Sequence, residues 1–594
     1  MPKPSVKCEP PSDDLCPTCK QLGLSAEKFL PGQPSDSILP GLLAKPFDLV
    51  GLQPRDLEYL DEIYLRRDRC SLCWLLFNAT HVDKEPSDGS VARNRPGTTQ
   101  LIGYDGLTSE GKRTGSAKDR PRRKILVKSL GFRFIWVDAL CILQDDTTDA
   151  ERIIPMMDVI YGNSALNICA AAGNSSSQGI PGSPGSQRAA WQPRAVCAGL
   201  ELVATKTIEG LIENSVWNSR AWTFQERMLA RRSMIFVDNR VFFQCRQATW
   251  SEEVCSEAPT SSWTLEMIRS PLKSFEKNPV RLYLECVELF SGRLLTYQAD
   301  RLPAFEGMSA VLCPPLRAFL FYGLPDSYFD FALLWEKKVS GPRVKECSDR
   351  HLYPSWSWSG WHGTSVWRLP MISGTLLNLH EWLECHTWVV WYKLDPAKTT
   401  FLPVWSSSEI HPSPNRWHGY SKTTADSDPF GRRRVSDDDD TLPTLPASGV
   451  RKSECLYFWT WTAFFQISRQ SRTGPSFASK LEPGLLRFGL LDANGDWCGT
   501  VILEDVWSAR VGAVVEFAAV SDARDFSMEE LDTWNYYVPE DREVAEWHLY
   551  YALLIVWDDD RAVARRDGLA KIYRRAFDLA SFEPGRAWRE VTLG

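Results

Sequence analysis

The stretch Phe134–Asp146, FIWVDALCILQDD, decides how this chain is read. Its first ten residues are apolar and partly β-branched, the pattern of a short buried strand. Yet Asp138 lies inside that run, and the stretch closes on Gln144, Asp145 and Asp146. A carboxylate in mid-strand is costly to bury unless it is paired or hydrogen-bonded. Asp138 therefore reads either as a structural residue held by backbone donors or an arginine, or as part of a site. An acidic strand end is commonly a solvated exit. In a parallel sheet it also borders the crevice where ligands bind.

The flanking sequence gives the strand a context. KILVKSLGF (124–132) fits the end of a helix closed by Gly131. TTDAERIIPMMDVIYGNS (147–164) predicts an amphipathic helix capped by Thr148 or Asp149, with Ile153, Ile154, Met157, Ile160 and Tyr161 as its apolar stripe. ALNICAAAG (165–173) reads as a second buried strand, followed by a Ser-, Gly- and Pro-rich loop to Gly185. NSRAWTFQERMLARRSMIFVDNRVFFQC (218–245) reads as a helix and then a hairpin turning at Asp238-Asn239. Strands and helices alternating through short connections predict a parallel sheet flanked by helices.

Beyond this core, Thr264–Leu316 reads as largely helical, with DRLPAFEGMSAVL (300–312) opening an amphipathic helix. YPSWSWSGWHG (353–363) is an aromatic strand or loop, and 406–453 a polar linker whose GRRRVSDDDD run is solvated. From Ser453 the chain reads as mainly β. LLRFGLLDANGDWCGTVIL predicts a hairpin turning at Asn494-Gly495, and YYALLIVWDDD and WREVTLG further strands. GLAKIYRRAFDLA (568–580) reads as a helix. The expected organisation is a cysteine-pair region (1–80), a linker or degenerate domain start (81–123), an α/β core (124–250), a helical extension (251–363), an aromatic segment and linker (364–452) and a β-rich C-terminal domain (453–594).

Composition narrows the function. A chain of 594 residues exceeds one ordinary domain, and its net charge of −7 gives no support for a nucleic-acid-binding protein or one held on a membrane surface. No apolar run approaches a membrane span, and the first residues lack the apolar core of a signal peptide. An intracellular, cytoplasmic protein is expected. In that setting the 16 cysteines read as thiols or metal ligands, not as a disulfide framework. The 25 tryptophans point to thick aromatic cores.

Four patterns bear on chemistry. CPTC and CSLC supply Cys16, Cys19, Cys70 and Cys73. Two such pairs can close a tetrahedral structural zinc site, because each pair chelates through its own turn. The long gap between the pairs leaves four separate thiols as an equal alternative. Gly106–Lys112 spells a phosphate loop, but Arg113 stands where a magnesium-binding Ser or Thr belongs, so the match is by chance. In HEWLECH, His380 and His386 are six apart and do not share a helix face as a zinc-protease pair would. In SRAWTFQERML, Trp222 stands three residues before Gln225 and four before Glu226, so the three share a face. A carboxylate beside a Trp ring can act as an acid or base, but an early-helix Glu favoured by the dipole is the simpler account.

Three blocks, GFRFIWVDALCILQDD, MMDVIYGNSALNICAAAG and NSRAWTFQERML, together resemble the fungal heterokaryon incompatibility (HET) domain. DRLPAFEGMSAV, YPSWSWSGW and the C-terminal ARRDGLAKIY and WREVTLG resemble regions that follow it in long fungal proteins. The family usually opens on a strand like Y-x-A-L-S-Y-x-W-G, which has no counterpart here, so the first strand is missing. The resemblance implies an α/β fold with a parallel sheet like that of TIR or flavodoxin-like domains. It implies a role in non-self recognition and programmed cell death, with proteins of an incompatibility pathway, or further copies of the chain, as partners. Some TIR domains cleave NAD with a Glu on a Trp-containing helix. AWTFQE is similar, and by that likeness Glu226 is the catalytic carboxylate and NAD the substrate. Asp138, Gln144, Asp145, Trp222 and Gln225 would then border the pocket, and Arg220 would meet a phosphate. A non-catalytic signalling domain and a degenerate, inactive relative are the alternatives.

Overall fold

The structure is a computed structural model that describes residues 14–17, 20, 69–71, 126–143, 146–173, 180–182, 194–197, 200–203, 208–245, 249–251, 278–345, 351–397, 399–404, 445–469, 481–534 and 546–594. The candidate linker 81–123, the G-x-x-x-x-G-K match, residues 264–277 and most of the polar linker lie outside the described residues.

The opening helix ends as expected. Gly131 takes a left-handed conformation, and the Phe132 N–H reaches back to the Val127 carbonyl, closing the last turn. The deciding stretch, however, departs from its reading. Phe134–Val137 belongs to no strand, and Asp138–Cys141 forms one helical turn, α1. Phe134 is 84% exposed. An apolar, β-branched run becomes a strand only when a neighbouring backbone takes its N–H and C=O groups. No described strand lies beside it.

Two helices follow, α2 (Thr147–Ile153) and α3 (Met157–Asn163), joined by a single 3-10 turn over Ile154–Met156. The sequence predicted one continuous helix. Pro155 breaks it, because a proline has no N–H to give to the preceding turn. The cap is also not the predicted one. Asp146 Oδ1 accepts from the backbone N–H groups of Thr148 (2.9 Å) and Asp149 (3.4 Å). The buried stripe is Met157 and Tyr161.

Strand β1 (Asn167–Ala170) lies parallel to β2 (Arg232–Val237), with Asn167 opposite Ser233. Between them in sequence come the short helices α4 (Val216–Ser219) and α5 (Thr223–Leu229). β2 turns into β3 (Arg240–Cys245) through Asp238 and Asn239, both at positive φ, as the two-residue hairpin required. β4 (Thr249–Ser251) extends the sheet antiparallel. The four-stranded sheet is therefore mixed, with one parallel pair. Cys169, Ile235, Val237 and Phe242 bury its face against Leu211, Ile212 and Trp217.

Helices α6 (Pro279–Ser291) and α7 (Pro303–Leu316) pack on this unit. Asn278 caps α6 by accepting from the Arg281 N–H, with Pro279 in the first helical position. Phe224 of α5, Phe290 of α6, Phe305 of α7 and Trp358 form one aromatic cluster with centroids 4.9 to 5.9 Å apart along its successive pairs. The serine- and tryptophan-rich segment around Trp358 is a loop with one 3-10 turn. Trp356 and Trp358 are fully buried in the core that this loop shares with α8 (Phe329–Ala332), helix α9 (Leu369–Leu377) and the C-terminal sheet.

That sheet closes on itself. β5 (Tyr392–Leu394) and β6 (Phe401–Pro403) lead into β7 (Leu456–Ser468), then β8 (Leu485–Leu491) and β9 (Trp497–Glu504). β10 (Val514–Ala523), β11 (Leu549–Trp557) and β12 (Ala564–Tyr573) complete it. The order β7-β8-β9-β12-β11-β10 returns to β7, a closed ring that leaves those strands no open edge. Alternate residues fill one side: Ala463, Phe465, Ile467, Phe517, Ala519, Tyr550, Ala552 and Leu554. The intervening Phe458, Ala518, Val520, Tyr551 and Leu553 join the core shared with the helices. The Asn494-Gly495 hairpin forms as predicted, with Gly495 at positive φ and Asp492 accepting from the N–H groups of Asn494 and Asp496. The predicted helix at 568–580 is half strand and half helix. β12 runs to Tyr573 and only α10 (Arg574–Leu579) is helical, because Leu569, Ala570 and Ile572 alternate between two buried faces. β13 (Ala587–Leu593) pairs with the first half of β7. Among the described residues no helix is long and apolar enough to cross a membrane.

Candidate functional site

The candidate site is built where α3, β1 and α5 meet. Glu226 stands on α5 and is half-buried. Its Oε2 accepts the indole N–H of Trp217 at 3.2 Å. The backbone carbonyl of Glu226 accepts from the Asn167 side-chain amide at 2.9 Å, which ties α5 to β1. Trp217 is buried on α4, itself fixed by Ser215, whose hydroxyl accepts from the Asn218 N–H. The carboxylate is thus oriented by a rigid indole donor, the kind of support a positioned acid needs.

Tyr161 and Cys169 lie in the field of Glu226. Burial pushes the Tyr161 phenol well above its usual range, and the negative charges of Glu226 and Asp138 add to it. Burial likewise pushes the Cys169 thiol up, with Glu226 contributing. Both stay neutral at ordinary pH, so Cys169 is no nucleophile here. Trp136 meets the Tyr161 ring edge-on at 6.0 Å. Arg220 lowers the Tyr161 phenol by its charge, so it too stands near.

On the other side of α5, Arg293 is buried. Its guanidinium donates to the Arg220 carbonyl, to Thr223 Oγ1 and to Asn218 Oδ1, and sits 4.8 Å from the centroid of the Phe224 ring. Burial first, and then the charge of Arg227, pull it down to about 9. Arg227 shares Asn218 Oδ1 with it.

The charges of Asp138, Arg220 and Glu226 all act on Tyr161. Asp138 is not the buried mid-strand carboxylate the sequence suggested. It is exposed at the start of α1, and its Oδ1 accepts the Ala139 N–H. Burial is therefore no cost to it. Trp222 is partly buried against the main core. Gln225 is buried between helices, with its amide donating to the carbonyls of Pro303 and Ala304 in α7. Gln144 and Asp145 lie outside the described residues. Sequence reasoning passed over Trp217, Asn167 and Arg293. Trp217 stands in the unread residues just before the helix motif, and Asn167 and Arg293 reach the site only through folding.

Of the cysteine pairs, Cys16 and Cys70 are described, and Cys19 and Cys73 lie outside the described residues. The Ser71 N–H donates to the Asp14 carbonyl at 3.1 Å, which brings the two pair-bearing segments together. Cys70 is fully buried. Among the described residues no group of three His, Cys, Asp or Glu side chains is arranged to hold a metal.

Residues 122–226 match the family model described as heterokaryon incompatibility protein (HET). The match ends on Glu226, so it takes in α1 to α4, β1 and the first half of α5. No curated protein and no solved structure matches the chain. The chain is a heterokaryon incompatibility (HET) domain-containing protein.

Proposed function

We propose that this protein acts in non-self recognition and programmed cell death in a filamentous fungus, signalling through its HET domain. The family match over 122–226 carries this reading. Its partners on this view are other proteins of an incompatibility pathway, or further copies of the chain, in the cytoplasm. Expressing the full chain from an inducible promoter in a fungal host tests it. Loss of viability on induction supports the reading. Growth equal to the uninduced strain, with the protein present and folded, counts against it.

A second reading is catalytic, and the Trp217–Glu226 contact favours it. A TIR-like reaction on NAD breaks the bond between the nicotinamide nitrogen and the ribose carbon. Water adds at that carbon, giving ADP-ribose, nicotinamide and a proton. Glu226 would stabilise the positive charge that grows on the ribose as nicotinamide leaves. Asp138 would border the site, and Arg220 would face a phosphate. Measuring NAD in cells that express the chain or Glu226→Ala separates this reading from signalling by assembly alone. Loss of NAD in the first and not the second supports it. Death without loss of NAD leaves the non-catalytic role. A degenerate, inactive relative would show neither.

We also propose a structural zinc held by Cys16, Cys19, Cys70 and Cys73. The hydrogen bond between Ser71 and Asp14 supports it by joining the two segments.

A further inference from the structure

Large apolar side chains crowd the surface at the front of the HET domain. Leu130, Phe132, Phe134, Leu140 and Leu143 are all exposed. A single exposed apolar residue is ordinary, but a run of them marks a contact surface.

The middle of this stretch is held in place. Gly131 ends the preceding helix, and Trp136 stands edge-on to Tyr161 and packs on the main core. Val137 is extended (φ −140°, ψ 122°) where it leads into α1, and its carbonyl accepts from the N–H groups of Leu140 and Cys141. Phe134 therefore stands out, 84% exposed, from a fixed base. Among the described residues Phe134–Trp136 enters no β-ladder. An apolar run whose backbone is open to a strand from outside is what strand addition uses.

The flanking charges say what covers this run. Arg133 is exposed just before it, with its guanidinium 5.6 Å from the centroid of the Phe134 ring, and Asp138 is exposed just after it. The run is thus basic at one end, apolar in the middle and acidic at the other. Two copies laid antiparallel about a two-fold axis set each Arg133 towards the Asp138 end of the other, with apolar side chains meeting between them. A parallel arrangement would set like charges together. A surface that complements itself in this way suits an isologous dimer. We propose that Arg133–Asp138 is a self-association surface whose occupant is the same run of a second copy of this chain. On the reading above, in which further copies of the chain are partners and on which this assignment rests, this is the surface they use.

Sedimentation of the full chain over a concentration series tests it. The parent is expected to pass from monomer to dimer as concentration rises. Phe134→Asp should weaken the dimer at least about tenfold, and its thermal midpoint should stay at the parent's because the side chain is so exposed. Arg133→Glu and Asp138→Arg should each weaken the dimer by setting like charges together, and the chain carrying both changes should recover it. A parent that stays monomeric would overturn the proposal and leave the surface to a different partner. So would a dimer that Phe134→Asp leaves intact, or a double variant no tighter than the single ones. Cell death with a monomeric parent would strike this surface alone, whereas a dimer without cell death would strike the signalling reading alone.

Discussion

Asp330 sits on α8 with 6% exposure, and its Oδ1 accepts the Trp391 indole N–H at 2.9 Å. Burial pushes its carboxyl up to about 7 against an ordinary value of 3.8, with the indole bond pulling the other way. The folded state therefore holds this proton more tightly than the unfolded chain does. Stability from this group is complete below about pH 4 and falls as pH rises, until the folded carboxyl ionises near 7. Between about pH 5 and pH 7.5 the loss is on the order of 2–3 kcal/mol from one group. Asp330→Asn keeps an oxygen to accept from Trp391 and removes the titration. We predict that the stability of the variant relative to the parent rises by about 2–3 kcal/mol between those two pH values. Urea unfolding followed by tryptophan fluorescence at both pH values measures it. Asp326, also raised by burial, to about 6, titrates in both proteins and cancels in the difference. A difference that does not change with pH would refute the argument, because it would mean that Asp330 is already ionised in the folded protein.

Three further outcomes follow from contacts already described. A Cβ at Gly307 of α7 would lie 2.5 Å from Gln225 Oε1 and 3.1 Å from the Asp158 Cβ, so Gly307→Ala should destabilise by about 1–3 kcal/mol, read as a lower thermal midpoint. Trp217→Phe removes the donor to Glu226 Oε2 and should cost about 1–2 kcal/mol of stability. If Glu226 cleaves NAD, that change should also slow NAD loss in cells, while Glu226→Ala abolishes it. Purified full-length protein should carry about one zinc per chain by elemental analysis, and Cys70→Ser should release it; a metal-free parent would count against the site.

The sequence was most legible where chemistry is local. Asp238-Asn239 and Asn494-Gly495 were readable as turns because only a few residue types tolerate positive φ. Gly131 was readable as a helix end for the same reason. A helix also forms here as read, but it starts at Thr223, with Glu226 on α5 and Trp222 at its N-cap. Errors came where an alternating or apolar pattern needed a partner to decide it. Phe134–Val137 has the composition of a strand, but no described strand pairs with it. Leu569–Tyr573 has the spacing of a helix face, but both faces of that segment are buried in the barrel wall.

The candidate site divides in the same way. The order of residues determined that a HET-type core lies near the front of the chain, that Glu226 is early on a helix, and that two cysteine pairs exist. Tertiary structure alone decided that Trp217 donates to Glu226, that Asn167 ties its helix to β1, and that Arg293, far away in sequence, is buried against Asn218, Arg220 and Thr223. It also decided that Gln225 is a clamp on α7 and that Asp138 is exposed. Spacing along a helix fixes which side chains share a face. Which side of that face is covered depends on segments far away in sequence, and no local pattern records them.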